Sequence, residues 1–404
     1  MGIIQLCTIN SDSGVQKEIM EALYSEDEKL LSKSMREFAD SEIAPNAARW
    51  DENEEFPWAS VEAMKKMGLM GMTSRPEYGG SGAPYAELAI ASEEIARVCM
   101  STSTTLLAHL SLGVSTIDKF ANAEQSSRFL PEANAGNSIV AWALSEPSSG
   151  SDAADMQTTA VRQDADSYIL NGSKIFITNA EESGVIVIFV ATDRAAGHKG
   201  TTAFVVDSNA NGITMKPMHG KLGIRGSGTA EINFNNVEVP LSNRLGEEGE
   251  GFKIAMTVLD SSRISLSSQS VGIAQGAFEA AIKYTQQRET FGEKLKERQA
   301  LQFMLADMHT QIEAARLLTR RAAQLKDNGL SHNRESAMAK VYASEAAHYC
   351  VDKALQIFGG YGFFKENPIE RMYRDQRISE IYEGTSEIQR IVIARSLLKE
   401  YAVD

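Results

Sequence analysis

The residue with the clearest capacity for chemistry is Glu383, in the segment Tyr382-Glu-Gly-Thr385. Gly384 suits the position just after a helix, and Ser386 with Gln389 has the spacing of a capping box at the start of the next helix. The pattern predicts a tight corner between two helices that carries Glu383. A carboxylate that faces a dry cavity has a raised pKa and can act as a general base. The same pattern also fits a solvated glutamate at a helix end, so this segment alone leaves both interpretations open.

Three other segments offer groups that can hold a ligand. The run Trp142-Ala-Leu-Ser-Glu-Pro-Ser-Ser-Gly-Ser-Asp152 leaves a predicted strand, and its hydroxyls and main-chain N–H groups suit flavin edge atoms or phosphate oxygens. The runs Arg288-Glu-Thr-Phe-Gly292 and Gln356-Ile-Phe-Gly-Gly-Tyr-Gly362 each end a predicted helix, and the glycines of the second run permit close approach of the main chain to a ligand. Taken singly, the first also fits any polar loop, and the other two fit ordinary helix ends.

The composition limits the classes of protein that could carry these segments. The 404 residues correspond to two or three domains of about 150 residues. A formal net charge of −14 argues against a surface that binds DNA or RNA, although a few arginines can hold a small anion. The cysteines, Cys7, Cys99 and Cys350, are far apart and predict neither a disulfide framework nor a metal site, which fits a cytoplasmic protein.

Membrane association is not expected either. No apolar run approaches the roughly 20 residues of a membrane-spanning helix, and the first thirty residues do not have the pattern of a targeting signal.

Hydrophobic periodicity divides the chain into a helical, a β and a second helical part. Residues 1–24 form a predicted N-terminal extension, and the pattern predicts an all-α domain over 25–137. Short runs of β-branched and aromatic residues predict a small antiparallel β-barrel or sandwich over 138–248, with a type I′ hairpin at Asn171-Gly172. Long helical periods over 249–404 predict a helix bundle.

Six motifs of this sequence resemble those of the acyl-CoA dehydrogenase family. They are, in the family's order, Pro76-Glu-Tyr-Gly-Gly-Ser-Gly82, Leu144-Ser-Glu-Pro-Ser-Ser-Gly-Ser-Asp152, Asn171-Gly-Ser-Lys-Ile-Phe-Ile-Thr-Asn179, Arg288-Glu-Thr-Phe-Gly292, Gln356-Ile-Phe-Gly-Gly-Tyr-Gly362 and Tyr382-Glu-Gly-Thr385. One motif would be weak, but six in order from about residue 25 to the C-terminus are specific. The resemblance implies an α+β multidomain fold with an N-terminal α-helical domain, a middle antiparallel β-barrel and a C-terminal four-helix bundle.

The resemblance further implies an FAD-dependent enzyme that removes the α-proton and the β-hydride of an acyl-CoA thioester and forms a trans-2-enoyl-CoA. Glu383 matches the family's catalytic base, and its main-chain N–H matches a donor to the thioester carbonyl. The positions that match cofactor-binding residues are Trp142, Leu144, Ser145, Phe176, Thr178, Arg288, Phe291, Gln356, Gly359, Gly360, Thr385 and Glu387. Those that match substrate-binding residues are Ser151, Asp260, Arg263, Tyr382 and Gly384, and no metal is implied.

The same resemblance implies partners. Five of the cofactor positions contact FAD across a subunit interface in the family: Arg288, Phe291, Gln356, Gly359 and Gly360. We therefore expect a homotetramer, built as a dimer of dimers, with electron-transfer flavoprotein as the electron acceptor. Phe176 stands where many members carry Trp, which keeps a ring on the flavin but removes an indole N–H.

Three positions bear on the acyl group. Some subgroups place the base near the position of Ser262, so the presence of Glu383 favours a short- to medium-chain, butyryl-CoA dehydrogenase-like enzyme. Glutaryl-CoA dehydrogenases carry an arginine where this sequence reads Met100-Ser-Thr-Ser-Thr-Thr105, which disfavours an acidic acyl tail. His109 lies near the far end of the family's pocket. It fits a buried structural residue, but a branched, cyclic or polar acyl group also stays open.

Two other functions stay open as well. A flavin-dependent oxidase or desulfinase shares the fold, but oxidases usually have extra domains and desulfinases replace the base. A non-catalytic FAD or acyl-CoA binding protein belongs to another class, and the retained Glu383 counts against it.

Overall fold

A computed structural model describes residues 24–402, so Cys7 and all but the last residue of the predicted 1–24 extension lie outside the described part. The first helix begins at a capping box, in which Ser25 Oγ accepts from the Glu28 N–H at 3.2 Å and the Glu28 carboxylate accepts from the Ser25 N–H at 2.7 Å. The helices of the N-terminal part are α1 Glu26–Phe38, α2 Ala47–Asn53, α3 Trp58–Lys66, α4 Tyr85–Val98, α5 Met100–Leu107, α6 Ser115–Phe120 and α7 Ala123–Asn134. A buried π-helical stretch, Ala108–Val114, joins α5 to α6.

One eight-stranded sheet forms the middle part. Its strands are β1 Ile139–Ala143, β2 Thr159–Arg162, β3 Ser167–Thr178, β4 Ser183–Ala191, β5 Thr201–Asp207, β6 Ile213–Pro217, β7 Thr229–Pro240 and β8 Arg244–Leu245. Their order is β6-β7-β3-β2-β4-β5-β8, with β1 beside β4. Most neighbours are antiparallel, but β4 runs parallel to both β1 and β2. The sheet is therefore not wholly antiparallel. Parallel pairing is possible here because β1 and β2 are not joined directly to β4 by a hairpin: β3 and its connections intervene and bring the chain back in the same direction.

The predicted hairpin at Asn171-Gly172 is wrong, because β3 runs through both residues. Asn171 pairs with Thr159 of β2, and Gly172 pairs with Phe234 of β7, where the register shifts as in a β-bulge. A Cβ on Gly172 would lie 2.6 Å from the Thr158 Cα. Glycine is therefore needed for close approach of two backbones, and the Asn-Gly pair serves a bulge instead of a turn.

Long helices form the C-terminal part. They are α8 Gly251–Gln287, α9 Gln299–Asp327, α10 Asn333–Phe358, α11 Pro368–Gln376 and α12 Ser386–Glu400. A small hairpin, β9 Glu289–Thr290 and β10 Glu293–Lys294, follows α8. Helix α10 packs mainly on α8. Small side chains line its buried face and permit this close packing: Ala339, Ala343, Ala347 and Ala354.

Three apolar clusters fill the interior, one of them mainly in the N-terminal helices, one in the sheet and one in the bundle. The order of a helical, a β and a helical part is the predicted one. Over residues 24–402, none of the helices combines the length and apolar composition that a bilayer crossing needs.

Candidate active site

Glu383 lies on a strained corner between α11 and α12. After α11 the chain makes a 3₁₀ turn over Arg377–Glu380, and then Glu383 and Gly384 take positive φ angles of 52° and 93°. A positive φ is unfavourable for a residue with a Cβ, so the surroundings must hold Glu383 in this conformation. The predicted interhelical corner is present, and it fixes the direction of one carboxylate.

The cap of α12 differs from the prediction. Thr385, not Ser386, is the N-cap, and its hydroxyl accepts from the Ile388 N–H at 3.4 Å. Ser386 is already the first helical residue, so the predicted capping box with Gln389 is wrong. The Gln389 amide instead turns back to the corner and donates to the Gly384 carbonyl at 2.8 Å.

The Glu383 carboxylate is partly buried and, among residues 24–402, has one direct protein donor. The Ser262 hydroxyl of α8 donates to Glu383 Oε2 at 2.5 Å. Burial raises the pKa of Glu383, while the Ser262 hydrogen bond and the charges of Lys340 and Arg263 act in the opposite direction. The net shift is upward. It brings the carboxyl closer to neutral pH, as a general base requires.

Tyr382 connects the corner to the interior beneath α5. Its hydroxyl donates to Gln269 Oε1 of α8, and burial raises the pKa of Tyr382. Gln269 Nε2 in turn donates to Thr104 Oγ1 at 2.8 Å and to the Met100 carbonyl at 3.2 Å. A buried hydrogen-bonded network therefore crosses from the corner to α5.

Leu144 and Ser145 lie beside the bulged end of β3. The Ile175 N–H donates to the Ser145 carbonyl at 3.0 Å, and the Lys174 ammonium donates to the Leu144 carbonyl at 2.9 Å. Phe176 follows with a φ of 60°, and its side chain is 65% exposed. The structure thus brings Leu144 and Ser145 to the C-terminal part of β3 that carries Phe176.

A buried ion pair fastens the loop that carries Ser145. Lys174 Nζ lies 2.8 Å from Glu146 Oε1, and both side chains are buried. Glu146 also accepts from the Gln157 N–H at 2.6 Å and from the Thr158 N–H at 3.1 Å. Burial lowers the pKa of Lys174 to about 8, against the opposing effect of Glu146. One carboxylate therefore ties both ends of this loop to β3.

The remaining predicted residues near this loop have separate contacts. The Trp142 indole N–H donates to Thr116 Oγ1 at 3.1 Å, and its ring packs against Phe189 with centroids 4.9 Å apart. Thr178 ends β3 opposite Thr229 of β7. Ser151 is exposed on the loop.

Asp260 and Arg263 form an ion pair along α8. Arg263 Nη1 lies 2.9 Å from Asp260 Oδ1, and the arginine is buried, which lowers its pKa. This burial excludes a surface salt bridge. Within the described chain, Arg263 Nε is buried without a hydrogen-bond partner, which leaves a free donor near Glu383.

The other predicted cofactor residues lie where α8 and α10 end: Arg288, Phe291, Gln356, Gly359 and Gly360. Phe291 forms the tip of the β9–β10 hairpin and is 96% exposed. The Arg288 guanidinium lies 5.4 Å from the centre of the Tyr361 ring. At 1.5 Å per residue, Gln356 is about 24 Å along α10 from Lys340, which contacts the corner. Within one chain, this set of residues is therefore remote from Glu383.

His109 is a satisfied core residue. Its Nε2 donates to the Met70 carbonyl at 3.1 Å, and its Nδ1 accepts from the Val140 N–H at 3.0 Å. Burial lowers its pKa to about 4, so the ring is neutral at pH 7. Both nitrogens are occupied by protein, which favours the structural interpretation over contact with a polar acyl group.

The site residues that were not predicted from the sequence include Glu146, Lys174, Lys340 and Gln389. The first two lie inside quoted motifs, and Gln389 was assigned to a cap. Lys340 could have been noticed in the sequence, because it lies on an alanine-rich helix face. A lysine on such a buried face is unusual unless it has a buried partner.

Two observations fit a bound flavin nucleotide. Ser386 Oγ, in the first turn of α12, is buried with no hydrogen-bond partner in the described chain, at a helix end that favours phosphate. A Cβ on Gly359 or Gly360 would meet no atom within 4 Å, so the main chain there is open to a ligand. Thr385 and the exposed Glu387 lie beside Ser386.

Comparisons with known proteins agree with the geometry. Family models of the acyl-CoA dehydrogenase N-terminal, middle and C-terminal domains match residues 25–137, 141–237 and 249–398. The short-chain specific acyl-CoA dehydrogenase of Bos taurus mitochondria is 47% identical over 376 residues, which are 93% of this chain and 91% of that protein.

Solved structures give the same result. Butyryl-CoA dehydrogenase from Megasphaera elsdenii is 38% identical with a TM-score of 0.91 and covers 93% of this chain and 99% of its own. A chain from a study of the electron transferring flavoprotein of Acidaminococcus fermentans is 42% identical, with the same TM-score and the same coverage. Two further similar structures are described with FAD or FADH2. The chain therefore belongs to the acyl-CoA dehydrogenase family of FAD-dependent enzymes.

Proposed function

We propose that this enzyme dehydrogenates a short-chain acyl-CoA thioester between Cα and Cβ and forms the trans-2-enoyl-CoA. The observation that carries the proposal is the Glu383 carboxylate, which a strained corner fixes in direction and whose pKa burial raises. Glu383 takes the α-proton. FAD, when bound, accepts the hydride from Cβ.

The main chain of the corner supplies a second group. Within residues 24–402, the Glu383 N–H donates to no protein oxygen. A free N–H at this point suits the thioester carbonyl, whose oxygen gains negative charge as the α-proton leaves. Tyr382 and Gly384 flank this donor, and Asp260, Arg263 and Ser151 are proposed to hold the CoA part. The unpaired Arg263 Nε supports its share of that role.

The cofactor would be held by two sets of residues from different subunits. In one chain, Trp142, Leu144, Ser145, Phe176 and Thr178 would contact the flavin ring, with Thr385 and Glu387 near the diphosphate. The set at the end of α10 is remote from this corner and would serve the cofactor of a second subunit. The 96% exposure of Phe291 supports an interface there, and we propose a homotetramer.

The interior beside Tyr382 favours a short acyl chain. Gln269, Thr104 and Tyr382 are already hydrogen-bonded to one another. A long alkyl chain that entered this space would have to break those bonds in a buried region. Helix α5 carries no cationic side chain that would pair with an acidic tail. The names of two relatives, short-chain specific acyl-CoA dehydrogenase and butyryl-CoA dehydrogenase, indicate the same preference.

We also propose electron-transfer flavoprotein as the acceptor of the two electrons. The support is the similar chain from a study of such a flavoprotein.

The test is anaerobic mixing of the yellow holoenzyme with butyryl-, hexanoyl-, octanoyl-, isobutyryl-, glutaryl- and cyclohexanecarboxyl-CoA while flavin absorbance is followed. We expect fast bleaching by butyryl-CoA and a loss of at least about 1,000-fold in Glu383→Gln, because the amide cannot accept the proton. The matched control is Glu345→Gln, which removes a surface carboxylate of α10 that pairs with Arg390.

Each outcome discriminates between hypotheses. Bleaching only by a branched, cyclic or acidic thioester would keep the chemistry and overturn the short straight chain. A yellow protein that no acyl-CoA bleaches would favour a binding protein. Bleaching that persists in Glu383→Gln would reject Glu383 as the base.

A further inference from the structure

We propose that Lys340 and Gln389 are positioning residues for the base: both hold the Glu383–Gly384 corner in its left-handed conformation, and the charge of Lys340 keeps Glu383 ionised. This inference rests on the proposed function and extends it to side chains on two other helices.

Two donors meet at one carbonyl oxygen of the corner. Lys340, fully buried on α10, donates from Nζ to the Gly384 carbonyl at 2.8 Å. Gln389, fully buried on α12, donates from Nε2 to the same oxygen at 2.8 Å and to the Glu383 carbonyl at 3.4 Å. Both lone pairs of the Gly384 oxygen are used, so two helices fasten a single peptide group.

This fastening is what the corner needs. Gly384 adopts its positive φ readily, but the positive φ of Glu383 persists only where the surroundings impose it. A Cβ on Gly384 would lie 2.6 Å from Gln389 Nε2, so the amide packs directly against the corner. Without these donors, the main chain from which the Glu383 side chain projects would lose two side-chain contacts that hold it.

Of the carboxylates near Lys340, Glu383 is the one on which the charge of the lysine acts most strongly. The charged groups that face Lys340 are the carboxylates of Glu383, Glu380 and Glu387 and the guanidinium of Arg263. Glu380 is already paired, with His348 at 2.8 Å and Arg377 at 3.3 Å. Glu387 is exposed to solvent. In the described chain Lys340 has no carboxylate at ion-pair distance, so its field acts chiefly on the partly buried Glu383.

The groups that face Glu383 complete the balance. Lys340 and Arg263 stabilise its charged form, the Ser262 hydroxyl donates to it, and Tyr85, which is buried, and Tyr382, which is partly buried, also lie near it. Burial lowers the pKa of Lys340 to about 8 and Glu383 opposes this effect, so the lysine is a cation at neutral pH.

The test compares three variants of the holoenzyme. Lys340→Met removes the hydrogen bond and the charge, Lys340→Gln keeps a donor and removes the charge, and Gln389→Leu removes a donor without changing charge. The measured quantity is the rate of flavin bleaching by butyryl-CoA from about pH 5.5 to 9.5. Loss of a nearby cation raises the pKa of a carboxyl group.

We therefore expect the acidic limb of the pH profile to move upward by about one unit in both Lys340 variants. On the acidic limb, well below the pKa of the base, bleaching should be about tenfold slower at a given pH, and it should recover on the alkaline side of the shifted limb. Gln389→Leu should lower the plateau without moving the limb. A limb that stays in place in both Lys340 variants would overturn the electrostatic role, and an unchanged plateau in Gln389→Leu would overturn its positioning role.

Lys221→Gln is the matched control. Lys221 is also largely buried, donates to a main-chain carbonyl, that of Ser227, and has a pKa lowered by burial to about 8. Its charged neighbours are Glu54, Asp375 and Glu182, and Glu383 is not among them. A limb that moves equally in this variant would show a general effect of buried lysines and count against the proposal.

A second readout does not depend on turnover. The thermal unfolding midpoint of the holoenzyme is measured for wild type, Lys340→Met, Glu383→Gln and the double variant. Lys340→Met should lower the midpoint more in the wild-type background than in the Glu383→Gln background, because only the carboxylate attracts the lysine. Equal shifts would reject the electrostatic interaction between Lys340 and Glu383. If butyryl-CoA does not bleach the wild type, the proposed function fails, while this cycle still tests Lys340.

Discussion

Two buried lysines support the two halves of the candidate site, and they differ in their counter-ions. Lys174 and Lys340 each donate to a main-chain carbonyl, that of Leu144 and that of Gly384. Lys174 also lies 2.8 Å from Glu146, whereas Lys340 has no carboxylate at that distance in the described chain. A neutralised lysine holds a loop in place. An unneutralised one holds a corner and still exerts a field on the residue beside it.

The largest expected effect comes from removing the counter-ion of Lys174. Glu146→Ala should lower the free energy of unfolding by about 3–5 kcal/mol, because it leaves a buried ammonium unpaired. The substitution should also weaken FAD binding, since Glu146 joins both ends of the loop that carries Ser145. Urea unfolding of the holoenzyme and its flavin absorbance after gel filtration measure the two effects.

The control replaces the whole pair, as Glu146→Leu with Lys174→Met. Two apolar side chains need no counter-ion, so the double variant should be more stable than Glu146→Ala. A double variant that is less stable than Glu146→Ala would mean that the Glu146–Lys174 pair stabilises the fold by more than mutual neutralisation of its charges.

His109 provides a reference for the comparison, because it is a buried base without charge. Its pKa is about 4 in the folded protein against 6.5 for an exposed histidine. The folded state therefore binds fewer protons between these values, and stability is lost as pH falls from 6.5 to 4. Its contribution is about 3 kcal/mol over this range.

The measurement is the free energy of unfolding of wild type and His109→Gln at several pH values. The variant cannot take up this proton, so its stability should fall by about 3 kcal/mol less than that of the wild type across the window. Parallel curves would mean that His109 is protonated in the folded state as readily as in the unfolded one.

The smallest effect is expected at Gly384 itself. Gly384→Ala and Gly329→Ala both place a Cβ at a positive φ, and each should cost about 1–2 kcal/mol of stability. Only the first also meets Gln389 Nε2 at 2.6 Å, while nothing lies within 4 Å of a Cβ on Gly329. Bleaching by butyryl-CoA should therefore slow in Gly384→Ala alone. Equal rates would show that the corner tolerates displacement.

The sequence was informative where local pattern decides structure. The corner at Glu383 and the change from helices to strands follow from short-range glycine positions and periodicity. The Asn171-Gly172 pair shows the limit, because a hairpin and a bulge need the same residues, and only the approach of Thr158 selects the bulge. The predicted domain boundaries and the roles of the site residues stay predictions.

The supports of the site were out of reach for a similar reason. Lys340 and Gln389 meet at the Gly384 oxygen only after α10 and α12 have packed. Glu146 and Lys174 are 28 residues apart in the chain, and nothing local indicates that their charges meet. Pairings of this kind depend on tertiary packing, which periodicity does not encode.

The number of residues between Lys340 and Gln356 on helix α10 matters for function. The helix contacts its own corner at Lys340 and carries Gln356 in its last turn, at the position proposed to serve the cofactor of a neighbouring subunit. A helix advances about 1.5 Å and turns about 100° per residue, so a single inserted residue between these points would rotate one contact away from its partner. We expect this stretch to tolerate changes of side chain far better than any insertion or deletion.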